Sequence, residues 1–403
     1  MSYEILRNMP NNVVIRCLAF SKDSSKVAAT HGNAIHMWNA CTGQLVRIFD
    51  DRIHGHHHEV NALAFNSQYL ASAGEDAIII LWDIRTGNWS RSIDTPHEHP
   101  IETLAFSPSD ETILVTTSSD QKICKYNIET NALDFHTQPN VDIVQYALDN
   151  TVFMSYRHET IIDVWNAEMR DKIVTIQNMY RVVSIACAPN NLYVAVSTFD
   201  GVQLCATSHF ESITLNAVHL LACVGLRNPN LIRVVQEFGK YELGTRLGTL
   251  LPNEHVDSLV FSPDSSSLAC CRGNNVYWLT LHSIVPLQYT VETLSFHIDE
   301  VLSLDISPDG TMLASGGHDS DLVLWKTPQY IVSANAKEVI YHMLMNDVLN
   351  VNEIKLMGAY LFLDERHVDR INSIVEQKRD ETESDEEAPR KRQRLRFLPE
   401  LKF

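Results

Sequence analysis

Apolar and polar positions alternate with period two along most of the first 330 residues, in short runs broken by turn residues. That pattern predicts strands rather than helices. Three segments repeat one order of events: VNALAFNSQYLASAGEDAIIILWDI from Val60, IETLAFSPSDETILVTTSSDQKICKYNI from Ile101 and VLSLDISPDGTMLASGGHDSDLVLWK from Val301. Each reads as a strand, a turn, a strand of small residues, an acidic turn and a third strand closing on an aromatic residue. Weaker copies begin at Ile15, Val141, Val182 and Val256. The closing position recurs at Trp38, Trp82, Tyr126, Trp165, Cys205, Trp278 and Trp325. A period of about 40 residues, with a fourth strand in each linker, predicts four-stranded sheets repeated around a ring.

The step from Cys205 to Trp278 is 73 residues, nearly twice the others. It predicts a degenerate copy over 219–243 and hence eight units; seven units with an inserted segment is the alternative count. Residues 2–8, with Tyr3, Ile5 and Leu6, are the expected closing strand, because the chain after Trp325 turns into Thr327-Pro328.

Within these copies, four polar side chains recur at matched spacing. They are His56, Ser72, Asp76 and Trp82; His97, Thr116, Asp120 and Tyr126; and His297, Ser315, Asp319 and Trp325. A buried carboxylate needs donors, and His and Ser/Thr can supply them while the indole N–H is satisfied. On these residues the chain resembles the WD-repeat β-propellers over residues 1–330. The resemblance implies an all-β fold of eight blades (or seven), in which the tetrads tie blade strands together and are structural. Some copies depart from the pattern: Asn33 stands near the Asp position of the first, Glu159 in the fourth, and the fifth and sixth have lost it.

Beyond residue 330 the period changes towards 3.6. Ile340, Met343 and Leu344 form one stripe after a Ser333 cap, and Val368, Ile371 and Val375 form another, predicting a short α-helical extension over 331–377. This extension is expected to pack on the propeller or to dock a partner. Residues 378–403 are dense in charge without an apolar pattern, which predicts a disordered tail. Lys378 and Arg379, then Arg390, Lys391, Arg392 and Arg394, resemble a bipartite nuclear localisation signal, which would be read by an import receptor. Thr382 and Ser384, followed by acids, resemble sites for an acid-directed kinase, where phosphate would add about −1.5 to −2 charges.

Composition narrows the function classes. With 45% hydrophobic and 20% charged residues, a mostly disordered chain is excluded. Net charge of −18 argues against nucleic acid binding through the acidic propeller. No apolar run reaches the roughly 18 residues of a membrane span. The first twenty residues lack a basic stretch followed by an apolar one, so secretion is not expected. Eight scattered Cys without a C-x-x-C pair suit free thiols rather than a disulfide frame or a zinc site. The tract His54-Gly55-His56-His57-His58 could offer imidazoles to a metal, but a solvated linker is the better reading, and Cys270-Cys271 adjoin on a strand and point to opposite sides. No phosphate-binding loop, nucleophile elbow or H-E-x-x-H is present. No cofactor, metal or small-molecule substrate is therefore expected.

One surface motif stands out. Residues 70–85 end in Trp82, Asp83, Ile84 and Arg85, and resemble the box by which some WD-repeat proteins dock on the adaptor of a cullin-type ubiquitin ligase. The sequence reading is thus a non-enzymatic protein-interaction scaffold in a larger nuclear complex, otherwise cytoplasmic. A ligase substrate receptor is one alternative. The other is an RNA-processing or chromatin component using its basic tail.

Overall fold

A computed structural model of the chain describes residues 2–6, 13–206 and 246–328, with short interruptions at 52, 121, 131, 137–140, 147–151, 157–159, 167–171, 178–180, 191–192, 253, 255 and 285–286. The described residues form 28 strands in seven four-stranded sheets. Blade 1 holds β2 (Leu18–Phe20), β3 (Lys26–His31), β4 (Ala34–Asn39) and β5 (Leu45–Phe49). Blade 2 holds β6 (Val60–Phe65), β7 (Tyr69–Gly74), β8 (Ile78–Asp83) and β9 (Trp89–Asp94). Blade 3 holds β10 (Ile101–Phe106), β11 (Ile113–Ser118), β12 (Ile123–Asn127) and β13 (Ala132–His136). Blade 4 holds β14 (Val141–Tyr146), β15 (Val152–Tyr156), β16 (Ile161–Trp165) and β17 (Lys172–Gln177). Blade 5 holds β18 (Val182–Cys187), β19 (Tyr193–Thr198), β20 (Gly201–Ala206) and β21 (Arg246–Leu250). Blade 6 holds β22 (Ser258–Phe261), β23 (Ser267–Arg272), β24 (Asn275–Ile284) and β25 (Leu287–Ser295). Blade 7 holds β26 (Val301–Ile306), β27 (Met312–Gly317) and β28 (Leu322–Lys326), and its fourth place is taken by β1 (Ser2–Leu6).

First strands touch from blade to blade, and β26 of the last packs on β2 of the first, so the sheets close into a ring. β8 shows why its sequence is apolar without interruption. Ile79 and Leu81 pack with Leu104 and Phe106 of blade 3, while Ile80 and Trp82 pack with Ile35, Met37 and Phe49 of blade 1. Alternate side chains point to opposite faces, and both faces are buried.

The expected count of eight blades is corrected to seven. The doubled step between Cys205 and Trp278 does not add a sheet among the described residues. β20 and β21 pair directly, with Val202 opposite Leu250 and Leu204 opposite Gly248. Residues 207–245 are thus an insertion between the third and fourth strands of blade 5, and the copy expected over 219–243 lies outside the described residues. Counting closing residues could not distinguish an extra blade from a long connection inside one. The helices expected over 331–377 and the tail over 378–403 also lie outside the described residues.

Turns between first and second strands recur in one form. Ser21, Ser262 and Ser307 each donate from Oγ to the Asp two residues on, at 2.5, 2.6 and 2.6 Å. The next residue takes a left-handed φ of 58° at Ser24, 60° at Ser265 and 71° at Gly310. Serine is unusual there. Both hydroxyls bridge blades, Ser24 Oγ accepting Asp309 N at 3.0 Å and Ser265 Oγ accepting Asn190 N at 2.9 Å.

Candidate functional site

Each complete tetrad spans a linker, the second strand, the following turn and the third strand. In blade 2, His56 Nδ1 lies 2.7 Å from Asp76 Oδ2, His56 Nε2 lies 2.8 Å from Ser72 Oγ, and Trp82 Nε1 donates to Ser72 Oγ at 2.9 Å. In blade 7, His297 Nδ1 lies 2.7 Å from Asp319 Oδ2, His297 Nε2 lies 2.7 Å from Ser315 Oγ, and Trp325 Nε1 donates to Ser315 Oγ at 2.8 Å. Register explains the geometry: Leu70 pairs with Trp82 across β7 and β8, which sets the indole diagonally beside Ser72 on the same face. The hydroxyl therefore does not serve the Asp, as the sequence reading had it, but stands between His and Trp. A carboxylate only accepts, so His Nδ1 carries the proton, Nε2 accepts from the hydroxyl, and the hydroxyl accepts from the indole.

Blade 3 keeps part of this chain. His97 Nδ1 is 3.2 Å from both oxygens of Asp120, and His97 Nε2 is 2.9 Å from Thr116 Oγ1. Tyr126 replaces the indole, and its hydroxyl is buried without a hydrogen-bond partner of good geometry; burial pushes this phenol up. Burial also drives the His97 imidazolium down, and the opposing pull of Asp120 does not offset it, so the ring is neutral at pH 7. Asp120 and Asp319 both lie below the usual carboxylate range. Burial works against their ionisation, but Lys122 N and Glu98 N at Asp120, and His297 at Asp319, outweigh it.

The order Ser–His–Asp has the connectivity of an activated nucleophile. Here it has no room to act. Ser72 and Ser315 are fully buried, and each hydroxyl already accepts an indole N–H, leaving no space for a substrate carbonyl.

In blade 6, Cys271 takes the position of Ser72, since Ala269 pairs with Trp278 as Leu70 pairs with Trp82. Its Sγ turns to Val301 O at 3.2 Å, and Trp278 Nε1 is buried without a partner. Sequence reading missed this remnant because the cysteine hides it. Burial pushes the thiol up to about 12. Cys271→Ser should supply the missing acceptor and raise unfolding free energy by about 1 kcal/mol, measured by urea denaturation. No change would mean that the indole is satisfied by water. Blade 1 has Ala29 at the same place, and Asn33 donates instead to His56 O of the next blade at 3.1 Å. Asn274 does the same to His297 O at 3.2 Å. Blades without a tetrad thus steady the loop that carries the next one.

Of the expected docking box, Trp82, Asp83 and Arg85 behave differently from one another. Trp82 is buried and belongs to the tetrad, so it is not a surface contact. Asp83 Oδ1 accepts Thr86 N at 2.6 Å, and that N–H holds its carboxyl below the usual range. Arg85 is exposed on a turn clamped by Arg47, which donates to Gly87 O at 3.0 Å, Thr86 O at 2.9 Å and Asn88 Oδ1 at 3.0 Å.

In the histidine tract, His54 lies 3.2 Å from Asp51 and stacks on Trp89 with centroids 4.2 Å apart. Among the described residues no group of three or more His, Cys, Asp or Glu is placed to hold a metal. Nor is any helix among them long and apolar enough to cross a membrane. Lys378, Arg379, Thr382, Ser384, Arg390, Lys391, Arg392 and Arg394 lie outside the described residues.

The family model for "WD domain, G-beta repeat" matches residues 43–83, 90–127 and 288–326. Protein FIZZY-RELATED 1 of Arabidopsis thaliana is 23% identical over 300 residues, covering 73% of this chain and 55% of that protein. Transcriptional corepressor LEUNIG_HOMOLOG of Arabidopsis thaliana is 23% identical over 77% of this chain and 35% of its own length. The chain therefore spans about half or less of these two relatives. A guanine nucleotide-binding protein subunit beta of Zea mays is 23% identical over 74% of this chain and 76% of its own. A chain in a crystal structure of a mitotic checkpoint complex aligns with TM-score 0.59 at 16% identity, covering 78% of this chain and 87% of that one, a likeness of fold.

Proposed function

Since the chain belongs to the WD-repeat β-propeller family, we propose that it is a non-catalytic protein-interaction scaffold, a subunit of a larger nuclear complex. One observation carries the reading. The loops that hold the tetrad histidines of blades 2 and 7 also present Ile53 and Ile298, which are 79% and 86% exposed. Both loops run from the outermost strand of one blade to the innermost of the next, so they open on the same end of the ring. A rigid frame that spends its polar groups inwardly and holds apolar side chains outward fits protein recognition. Affinity purification tests it. Full-length protein should retain partners that Ile53→Glu with Ile298→Glu loses, while circular dichroism and melting stay unchanged. Equal recovery from both would remove this face from the proposal.

Nuclear placement rests on the tail. Residues 375–403 fused to a reporter should concentrate it in the nucleus, and Ala at Arg390, Lys391 and Arg392 should weaken this more than Ala at Lys378 and Arg379. A uniform distribution with the intact tail would remove the nuclear element.

The exposed Arg85 on its clamped turn favours a second reading, a substrate receptor docking on a ligase adaptor. That turn joins third and fourth strands and so lies at the opposite end of the ring from Ile53 and Ile298. A guanidinium fork held there suits acidic groups on a partner. Co-purification of an adaptor that disappears with Arg85→Ala would support it.

A further inference from the structure

The cleft between blades 2 and 3 is built from smaller side chains than the one before it. Between blades 1 and 2, Phe49 of β5 meets Trp82 of β8 with ring centroids 5.2 Å apart. Trp89 of β9 lies opposite Trp82 and stacks on His54 of the linker between the two blades. Residues directly opposite on antiparallel strands share a face, so three aromatic side chains line that cleft. Register gives their counterparts one blade on. Phe49 is opposite Ile35 as Ile93 is opposite Ile79. Trp82 is opposite Leu70 as Tyr126 is opposite Leu114, and Trp89 is opposite Trp82 as Leu133 is opposite Tyr126. Ile93, Tyr126 and Leu133 therefore stand where Phe49, Trp82 and Trp89 stand, and each is smaller.

The lost volume is left open. A cavity of about 400 Å³ lies in the second cleft, and Arg91, Ile93, Tyr126, Asn127 and Leu133 help to line it, a size that suits a small ligand. Leu133, 43% exposed, brings it to the surface. Tyr126 is buried, and its hydroxyl has no hydrogen-bond partner of good geometry. Arg91 crosses the cleft to Ile128 O, as Arg47 crosses the first to Gly87 O. A guanidinium on the wall favours a π-face over an aliphatic group. Tyr126 adds an aromatic contact and a hydroxyl that both donates and accepts.

We propose that the cleft between blades 2 and 3 binds one aromatic ring carrying a single polar group, of phenol or indole type, in the place that rings fill in the preceding cleft. The ring packs on Ile93 and Leu133, meets Tyr126 and gives its polar group to the Tyr126 hydroxyl. The same ring chemistry can come as a free molecule or on a partner chain.

Titration of the full chain with phenol, followed by NMR of the ligand, tests the site. Phenol should bind saturably with a Kd on the order of 1 mM. Cyclohexanol, with the same hydroxyl but no π-face, should bind at least about fivefold more weakly. Ile93→Phe installs the residue of the preceding cleft and should weaken phenol binding at least about tenfold. Leu133→Trp, at an exposed position, should do the same and serves if the buried change disturbs folding. The capped peptide Gly-Tyr-Gly separates the two sources: tighter binding than phenol assigns the ring to a partner chain, weaker binding to a free molecule. No saturation by about 10 mM phenol, equal affinity for cyclohexanol, or unchanged phenol binding in both variants would overturn the proposal.

Discussion

Replacing Ser315 with alanine should cost about 2–4 kcal/mol of unfolding free energy. The hydroxyl is the middle of a chain in which Trp325 Nε1 donates to it and it donates to His297 Nε2. Alanine removes the acceptor of the Trp325 indole N–H and the donor to His297 Nε2 at a fully buried position. The lost hydrogen bonds are the smaller part; the desolvation of the buried His297 nitrogen without its donor adds to them. Ser315→Thr should recover most of the loss, because Thr116 fills the same place in blade 3. Denaturant unfolding of the three proteins decides it. An alanine variant within about 0.5 kcal/mol of the native chain would sink the account of the tetrad.

A comparable loss is expected for Gly317→Ala, from shape rather than polarity. A methyl group on Gly317 would lie 2.0 Å from Glu300 O and 2.7 Å from Val301 Cα. Both are backbone atoms of the strand approach, so no side-chain rotation relieves them. Gly74 in blade 2 meets Glu59 O at the same 2.0 Å. Overpacking against backbone should cost about 3–5 kcal/mol or prevent folding. Gly273 provides the contrast: nothing lies within 4 Å of its added methyl, and only its φ of 52° opposes substitution. Gly273→Ala should therefore cost about 1–2 kcal/mol. Equal effects at the two sites would show that the close approach of Glu300 O and Val301 Cα does not govern Gly317.

The all-β ring was legible because strand period and closing aromatic recur together, and packing between blades demands both. The apolar run Ile78–Trp82 is strand-sized in the sequence, but that both of its faces are buried came only from the packing of blades 1 and 3 against it. Blade number was not legible, because distance along the chain does not report which strands pair; only the register of Val202 with Leu250 does. The tetrad residues were identifiable from spacing, but their hydrogen-bond order was not, since it depends on which atoms a diagonal across two strands brings together. Asp305 was legible only as an acid among the small and neutral residues at equivalent inner-strand positions, and its role was not. That role appears only when Phe20 N is seen on its carboxylate.

The place of Ser2–Leu6 in the sheet of blade 7 has a kinetic consequence. Its partner strand is Leu322–Lys326, more than 300 residues later. During synthesis at about 5–20 residues per second, the early segment waits on the order of fifteen seconds to a minute before its partner emerges. Blades 1 to 6 are local meanders and can form as they appear, whereas the last blade pairs the two distant ends and carries the highest contact order. Until then two sheet edges stand open, the sort of edge that invites pairing with another chain. Ring closure is therefore the slow step and the one at which nascent chains are most exposed to aggregation, and its rate should respond to anything that occupies the first strand early.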